Sequence, residues 1–226
     1  MGKLTAIQTI KAMTNEVIVP FSGGKDSLAV LELLHQNEFT IRPYFMYIVK
    51  GIGFQQRYLA MIERRYGFEI LQVPHPQLFQ DLKWGYYRTP VPDMPKIQWN
   101  EIDAFVRSKL GLNLIICGGE KKMDSLQRRG MISSTAPDGY CSVRNRGYVI
   151  SEWSDHDVYS FINKANIPLP PDYAMFRGSW GGDVLPRKTL QIYRRYPEDY
   201  EKLKKVYPFI EAAVLKAEME EKNQQA

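Results

Sequence analysis

The chain has 226 residues, enough for one domain of generous size with an elaborated end, and folding at that length buries roughly 70% of the unfolded surface. Hydrophobic residues at 44% and charged residues at 24% exclude a wholly disordered, collagen-like or coiled-coil chain. The formal charge of +5 sets 30 basic residues against 25 acidic ones spread along the chain, so overall charge alone does not indicate nucleic acid.

The first residues, Met1 to Met13, carry Leu4, Ile7, Ile10 and Met13 on one helical stripe, followed by a polar break; they lack the apolar core of a signal peptide. No apolar run is long enough to cross a bilayer, so the expectation is a cytoplasmic protein without membrane contact. Val17 to Phe21 reads as a short buried strand, Ser22-Gly23-Gly24 breaks it, and Asp26 to His35 is a helix apolar on most sides. Tyr44 to Val49 is a second strand, Phe54 to Tyr66 a helix closed by Gly67, and Phe68 to Val73 a third strand. Trp99 to Leu110 is another helix and Asn113 to Cys117 a fourth strand.

Two stretches interrupt the alternation. Residues 74–98, rich in proline and carrying Trp84, Tyr86 and Tyr87 near Arg88, read as a binding loop or lid. Those aromatics either stack a base or pin the loop down. Residues 130–148 read as a second loop. Helix signals resume at Trp153, where Ser154 and Asp157 form a capping box and Trp153 can staple onto Val158. Past Pro186 the chain is mostly helical, ending in an amphipathic segment around Tyr200 to Met219. The pattern predicts an α/β fold with a parallel twisted sheet of about five strands and helices on both faces. Residues 1–175 form the expected nucleotide-binding domain and 176–226 a helical extension packed on or beside it.

The chemistry centres on Ser22-Gly23-Gly24-Lys25-Asp26-Ser27. Placed between a strand and a helix, these residues gather backbone N–H groups and the positive helix end around one concavity, which suits phosphate. Gly23 and Gly24 permit close approach, Ser22 and Ser27 add hydroxyls, and Lys25 adds a mobile charge. Neither GxxxxGK[ST] nor GxGxxG occurs at this loop. Between Lys121 and Arg146, six basic residues face only Asp124 and Asp138, an excess that suits a phosphate-rich ligand.

SGGKDS after an apolar strand resembles the PP-loop of the ATP pyrophosphatase superfamily, whose fold is Rossmann-like and termed adenine nucleotide α-hydrolase-like. Gly119 to Arg128, GEKKMDSLQR, is similar to the GxRxxESxxR segment of the phosphoadenosine phosphosulfate (PAPS) reductase and ATP sulfurylase branch. The stretch WSDHDVYSFINKANIP, Trp153 to Pro168, is similar to that branch's Trp-led pattern. Together the anchors span roughly residues 15–175. Lys121 and Asp124 replace the arginine and glutamate of the pattern, and Val49-Lys50-Gly51 stands where many members have Asp-Thr. No cysteine follows Cys141, so the redox cysteine of the reductases is missing.

The resemblance, with its intact loop, implies an enzyme that cleaves ATP between the α and β phosphates and adenylylates a small, oxyanionic acceptor with help from Mg²⁺. Ser22, Gly23, Gly24, Lys25 and Ser27 would hold the leaving pyrophosphate. Asp26 would cap the helix, orient the loop or bind a magnesium-bound water. Lys121 and Arg128, with Arg129 a weaker candidate, would meet the α-phosphate or the acceptor. Gly119 belongs to the matching segment, and adenine would pack near Met46, Tyr47 and Ile48. His75 could reach the pocket but has no evident partner, and His35 complements a helix end. Two cysteines and three histidines argue against zinc or an iron–sulfur cluster. Two alternatives stand beside the transferase: a nucleic-acid modifier, and a non-catalytic nucleotide-binding subunit working as an oligomer or with a partner. Cysteine-poor members of this kind are frequent in phage and mobile-element genomes.

Overall fold

The computed structural model describes residues 5–176 and 178–225. Met1 to Leu4, the head of the expected lead-in stripe, lie outside them. The helix α1 (Thr5–Lys11) buries Ile7 and Ile10, while Met13 lies beyond its end and is exposed.

The chain then alternates as its apolar pattern requires: β1 (Glu16–Pro20), α2 (Lys25–Gln36), β2 (Thr40–Tyr47), α3 (Gly53–Tyr66), β3 (Leu71–Pro74), α4 (Pro76–Trp84), α5 (Trp99–Leu110), β4 (Ile115–Cys117) and α6 (Leu126–Thr135). Two short strands follow, β5 (Tyr140–Cys141) and β6 (Arg146–Gly147), and then α7 (Asp155–Lys164), α8 (Pro171–Phe176), α9 (Pro186–Arg195), α10 (Pro197–Val206) and α11 (Glu211–Gln225). The sheet order is β3-β2-β1-β4-β6-β5, with every neighbouring pair parallel except β5 and β6. Because β2 and β4 flank β1 on opposite sides, connections leave the C-terminal ends of β1 and β4 in opposite directions. The crevice that opens there is where open α/β sheets bind ligands.

Alternate residues of β1 feed two cores. Val17 and Val19 pack with Leu28 and Leu31 of α2, Leu59 and Ile62 of α3, and Val158 and Ile162 of α7. Ile18 packs on the opposite face with Ile116, Ile102 and Val106 of α5. The box at α7 forms as its sequence predicts: the Asp157 N–H donates to Ser154 Oγ at 3.2 Å and the Ser154 N–H to Asp157 Oδ2 at 2.9 Å. Trp153 and Phe161 meet edge-on.

Several expected boundaries move. The strand β2 starts at Thr40, paired with Glu16, and ends before Ile48 and Val49. Those two side chains belong instead to a core formed with Ile52, Phe54, Trp180, Leu203 and Tyr207. The loop expected over 74–98 contains α4, which uses His75 as N-cap, Pro76 at its first position and left-handed Gly85 at its end. Proline at the first helical position costs nothing, since its missing N–H has no helical acceptor. The loop expected over 130–148 holds the end of α6 and the β5/β6 pair. The single amphipathic segment expected over Tyr200 to Met219 is two helices, α10 and α11, broken at Tyr207-Pro208.

Candidate active site

At the end of β1 the chain turns through Gly23, whose φ of 77° is the left-handed conformation glycine adopts without strain. The loop's hydroxyls close on themselves. The Gly24 N–H donates to Ser22 Oγ at 3.3 Å, Ser27 Oγ donates to the Gly24 carbonyl at 2.9 Å, and the two serine oxygens stand 3.1 Å apart. Gly119, after β4, presses against this turn. A Cβ there would lie 3.1 Å from the carbonyl carbon and Cβ of Asp26 and 3.2 Å from the Ser27 nitrogen, so a side chain would push the loop itself.

From the loop runs a chain of alternating charges. Lys25 Nζ donates to Asp26 Oδ2 and to Asp155 Oδ1, each at 2.9 Å. Lys121 Nζ reaches Asp26 Oδ1 at 2.6 Å, Asp124 Oδ1 at 2.9 Å and Asp155 Oδ1 at 3.4 Å. Arg128 Nη1 ends the series on Asp124 Oδ2 at 2.5 Å. Lys121 is only 1% exposed, so it is a buried cation and persists because carboxylates surround it. Burial works against the charge of both lysines, yet the hydrogen bonds from Lys25 to Asp26 and Asp155, and from Lys121 to Asp26 and Asp124, raise each above the ordinary lysine value. Its hydrogen bond with Lys25 holds Asp155 below the ordinary carboxylate value. Burial pushes Asp124 up, and the bonds from Lys121 and Arg128 more than reverse that.

The structure therefore brings Ser22, Gly23, Gly24, Lys25, Asp26, Ser27, Gly119, Lys121 and Arg128 to one place. Asp26 serves as shared counter-ion to two lysines and makes no helix-capping bond. Met46 lines a cavity of about 200 Å³ together with Phe21, Ser22, Phe45, Ile48 and Gly182, beside the loop. Tyr47 points to the opposite face of β2, where it packs on the main core. His75 lines the same cavity as the N-cap of α4, its Nδ1 accepting from the Gln77 N–H at 3.0 Å. Arg129 carries no carboxylate partner among the described residues, and its guanidinium lies 4.0 Å from the Met123 sulfur. Cys117 is fully buried in β4, where burial pushes its thiol up to about 12.

The basic excess over 121–146 is largely neutralised within the fold. Lys122 pairs with Glu152, and Arg146 pairs with Asp103 at 2.7 Å and Glu120 at 3.4 Å. With Lys121 and Arg128 also paired, only Arg129 and Arg144 lack a carboxylate among the described residues. Beside the local Asp124, the partners Asp26, Asp103 and Glu152 lie far off in sequence, where a local count of charge does not find them.

Sequence reasoning missed Asp155, Tyr173 and Ser179. The Lys25 N–H donates to the Tyr173 hydroxyl at 2.7 Å, and a Cβ on Gly24 would sit 3.7 Å from that hydroxyl and 3.8 Å from Ser179 Oγ. For Asp155 a signal existed. The capping box of α7 uses Ser154 and Asp157, which leaves the carboxylate of Asp155 without a local partner.

A glycine turn at the switch point of a mostly parallel sheet, met by a second segment after β4, is the arrangement of a PP-loop superfamily protein. The chain belongs to the phosphoadenosine phosphosulfate reductase domain family, whose pattern matches residues 16–182. It is 30% identical over 125 residues to the tRNA-specific 2-thiouridylase MnmA of Trichodesmium erythraeum, a match covering 49% of this chain and 34% of that protein. The chain thus spans about a third of the length of that curated relative. Among solved structures it is similar to the NH3-dependent NAD synthetase of Campylobacter jejuni in complex with nitrate, with 12% identity, a TM-score of 0.44, and coverage of 95% of this chain and 90% of that one. It is also similar to the glutamine-dependent NAD+ synthetase of Acinetobacter baumannii in complex with ADP, with 18% identity, a TM-score of 0.41, and coverage of 98% and 44%.

Proposed function

We propose that the chain binds ATP at the Ser22–Ser27 turn and cleaves it between the α and β phosphates, transferring AMP to a small oxyanionic acceptor in the cytoplasm. Residues 1–175 are the nucleotide-binding unit in this reading, and 176–226 an extension whose Leu203 and Tyr207 share a core with Ile52 and Phe54. The observation that carries the reading is the placement of Lys25 and Lys121 on one carboxylate, Asp26, directly at the turn.

Pyrophosphate would rest on the turn and the N-terminus of α2. Adenine would fill the cavity beside Met46 and Ile48. An acceptor oxygen attacks the α-phosphorus, the bond to the bridging oxygen breaks, and pyrophosphate leaves with that electron pair. An acceptor that is already an oxyanion brings no proton to dispose of. Lys25 swings from Asp155, whose side chain is 65% exposed and easily rehydrated, to the departing oxygen. Lys121, buried among carboxylates, locks the segment after β4 against the turn and is a positioning residue in this account. Magnesium suits the triphosphate's charge and would neutralise part of it. Among the described residues no group of three or more His, Cys, Asp or Glu is arranged to hold a metal, since the carboxylates here face ammonium groups. The ion would come with ATP, and Asp26 and Asp155 would be the carboxylates to meet its water shell.

Incubation with α-labelled ATP and a pool of oxyanions, followed by identification of the labelled product, tests the reading. An AMP-bearing acceptor supports it. Transfer of AMP to RNA instead would move the protein to the nucleic-acid modifiers, and binding without turnover to the non-catalytic subunits.

A further inference from the structure

A second, half-open cavity of about 530 Å³ lies between α4 and residues 181–184, joined to the smaller one through Ile48, His75 and Gly181. That volume falls in the range of small-molecule sites. Gln77, Gln80, Asp81 and Trp84 line it from α4, at helical spacings that put them on one face. Tyr86 stands beside them.

Two uses were open for the aromatics of this region, and the structure separates them. Tyr87 and Arg88 do the pinning: the Phe209 N–H donates to the Tyr87 carbonyl at 2.8 Å, and Arg88 donates to the Val206 carbonyl at 3.0 Å. Trp84 is left 76% exposed at the cavity mouth and is not needed to hold the segment, while Tyr86, 42% exposed, rests edge-on against Tyr87.

The polar lining defines what would fit. Among the described residues no lysine or arginine lines the cavity, so this lining offers a phosphate no charged partner. Its two carboxylates are already engaged, Asp81 by Gln77 and Tyr207 and Asp183 by Lys188. The Gln80 amide has no partner among the described residues, and Gln77 has an idle carbonyl oxygen because only its Nε2 is used. His75 Nδ1 accepts a backbone N–H, so the neutral ring carries its proton on Nε2. An aromatic platform beside a neutral set of mixed donors and acceptors matches the face and edge of a nucleobase.

We propose that this chamber binds a second nucleobase, stacked on Trp84 and read at its edge by Gln80, Gln77 and His75, beside the base of ATP. The proposal rests on the nucleotide reading only for that adjacency. The base could belong to a free nucleoside or to a single strand.

The test measures binding of each common ribonucleoside, and of a short oligouridylate, to protein saturated with α,β-methylene-ATP. Wild type is compared with Trp84→Ala, Trp84→Phe and Gln80→Ala. Saturable binding of at least one probe is expected, weakened roughly five- to a hundredfold by Trp84→Ala and much less by Trp84→Phe, with affinity for the ATP analogue unchanged. Markedly tighter, salt-sensitive binding of the oligomer identifies a strand as the source; equal affinity identifies a nucleoside. Wild-type binding no better than Trp84→Ala overturns the proposal. Competition between probe and analogue also overturns it, because the chamber would then be the ATP base site. If the analogue itself does not bind, the nucleotide reading fails, and nucleoside binding to the free protein still decides about the chamber.

Discussion

The backbone N–H of Lys25, the first of α2, donates to the hydroxyl of Tyr173 across 2.7 Å. This is the amide that a phosphate oxygen would use, and both acceptors cannot take it at full strength. Tyr173→Phe removes the competing oxygen and keeps the ring. Pyrophosphate should then bind about three- to tenfold more tightly, the worth of one neutral hydrogen bond. Calorimetric titration checks this, and weaker binding would make Tyr173 a phosphate ligand.

Asp26 is counter-ion to both Lys25 and Lys121. Asp26→Asn leaves a buried ammonium short of a charge and should cost about 2–4 kcal/mol in urea unfolding. Lys121→Met should cost less, within about 1 kcal/mol, because an apolar chain of similar volume fills the site while Asp26 keeps Lys25 and Asp124 keeps Arg128. The reverse order of stability would contradict the view of Asp26 as the hub.

Asp124 and Asp155 both titrate below the ordinary carboxylate value of 3.8. A depressed acid contributes stability above its unfolded pKa and loses it as pH falls through its folded one. Stability should therefore decline as pH drops below about 4, and Asp155→Asn should make that decline shallower. Denaturation curves from pH 3 to 6 measure it; an unchanged slope removes Asp155 from the network.

Gly119→Ala should damage nucleotide binding more than folding. Its Cβ would crowd the backbone of Asp26 and Ser27, which must shift by a few tenths of an ångström. We expect roughly tenfold weaker ATP binding, about 1.4 kcal/mol, with a thermal midpoint close to wild type. A variant that loses stability but keeps affinity would place the strain elsewhere.

The strand-turn-helix at residues 16–36 was legible because an apolar run, two glycines and a second apolar run leave one solution. The sheet edge was not, since β5 and β6 are two residues each, too short for an alternating pattern to show. Prolines hid α4, although Pro76 and Gly85 are a helix start and stop once His75 is recognised as the cap. Within the site, Lys25, Lys121 and Arg128 could be named from their motifs. Asp155, the carboxylate shared by the two lysines, lies 130 residues from Lys25, and Tyr173 lies 148 residues away, so only the fold pairs them.

Cleavage between the α and β phosphates with Lys25 on the leaving group shows most directly in the product released and in the rate. The measurement is pyrophosphate release at saturating ATP and acceptor for wild type and Lys25→Ala, with ATP binding followed alongside. Pyrophosphate rather than orthophosphate is expected from the wild type, with a loss in Lys25→Ala of roughly a hundred- to a thousandfold in rate against a far smaller loss in affinity. Orthophosphate as the product, or a saturated Lys25→Ala variant releasing pyrophosphate at the wild-type rate, would contradict it.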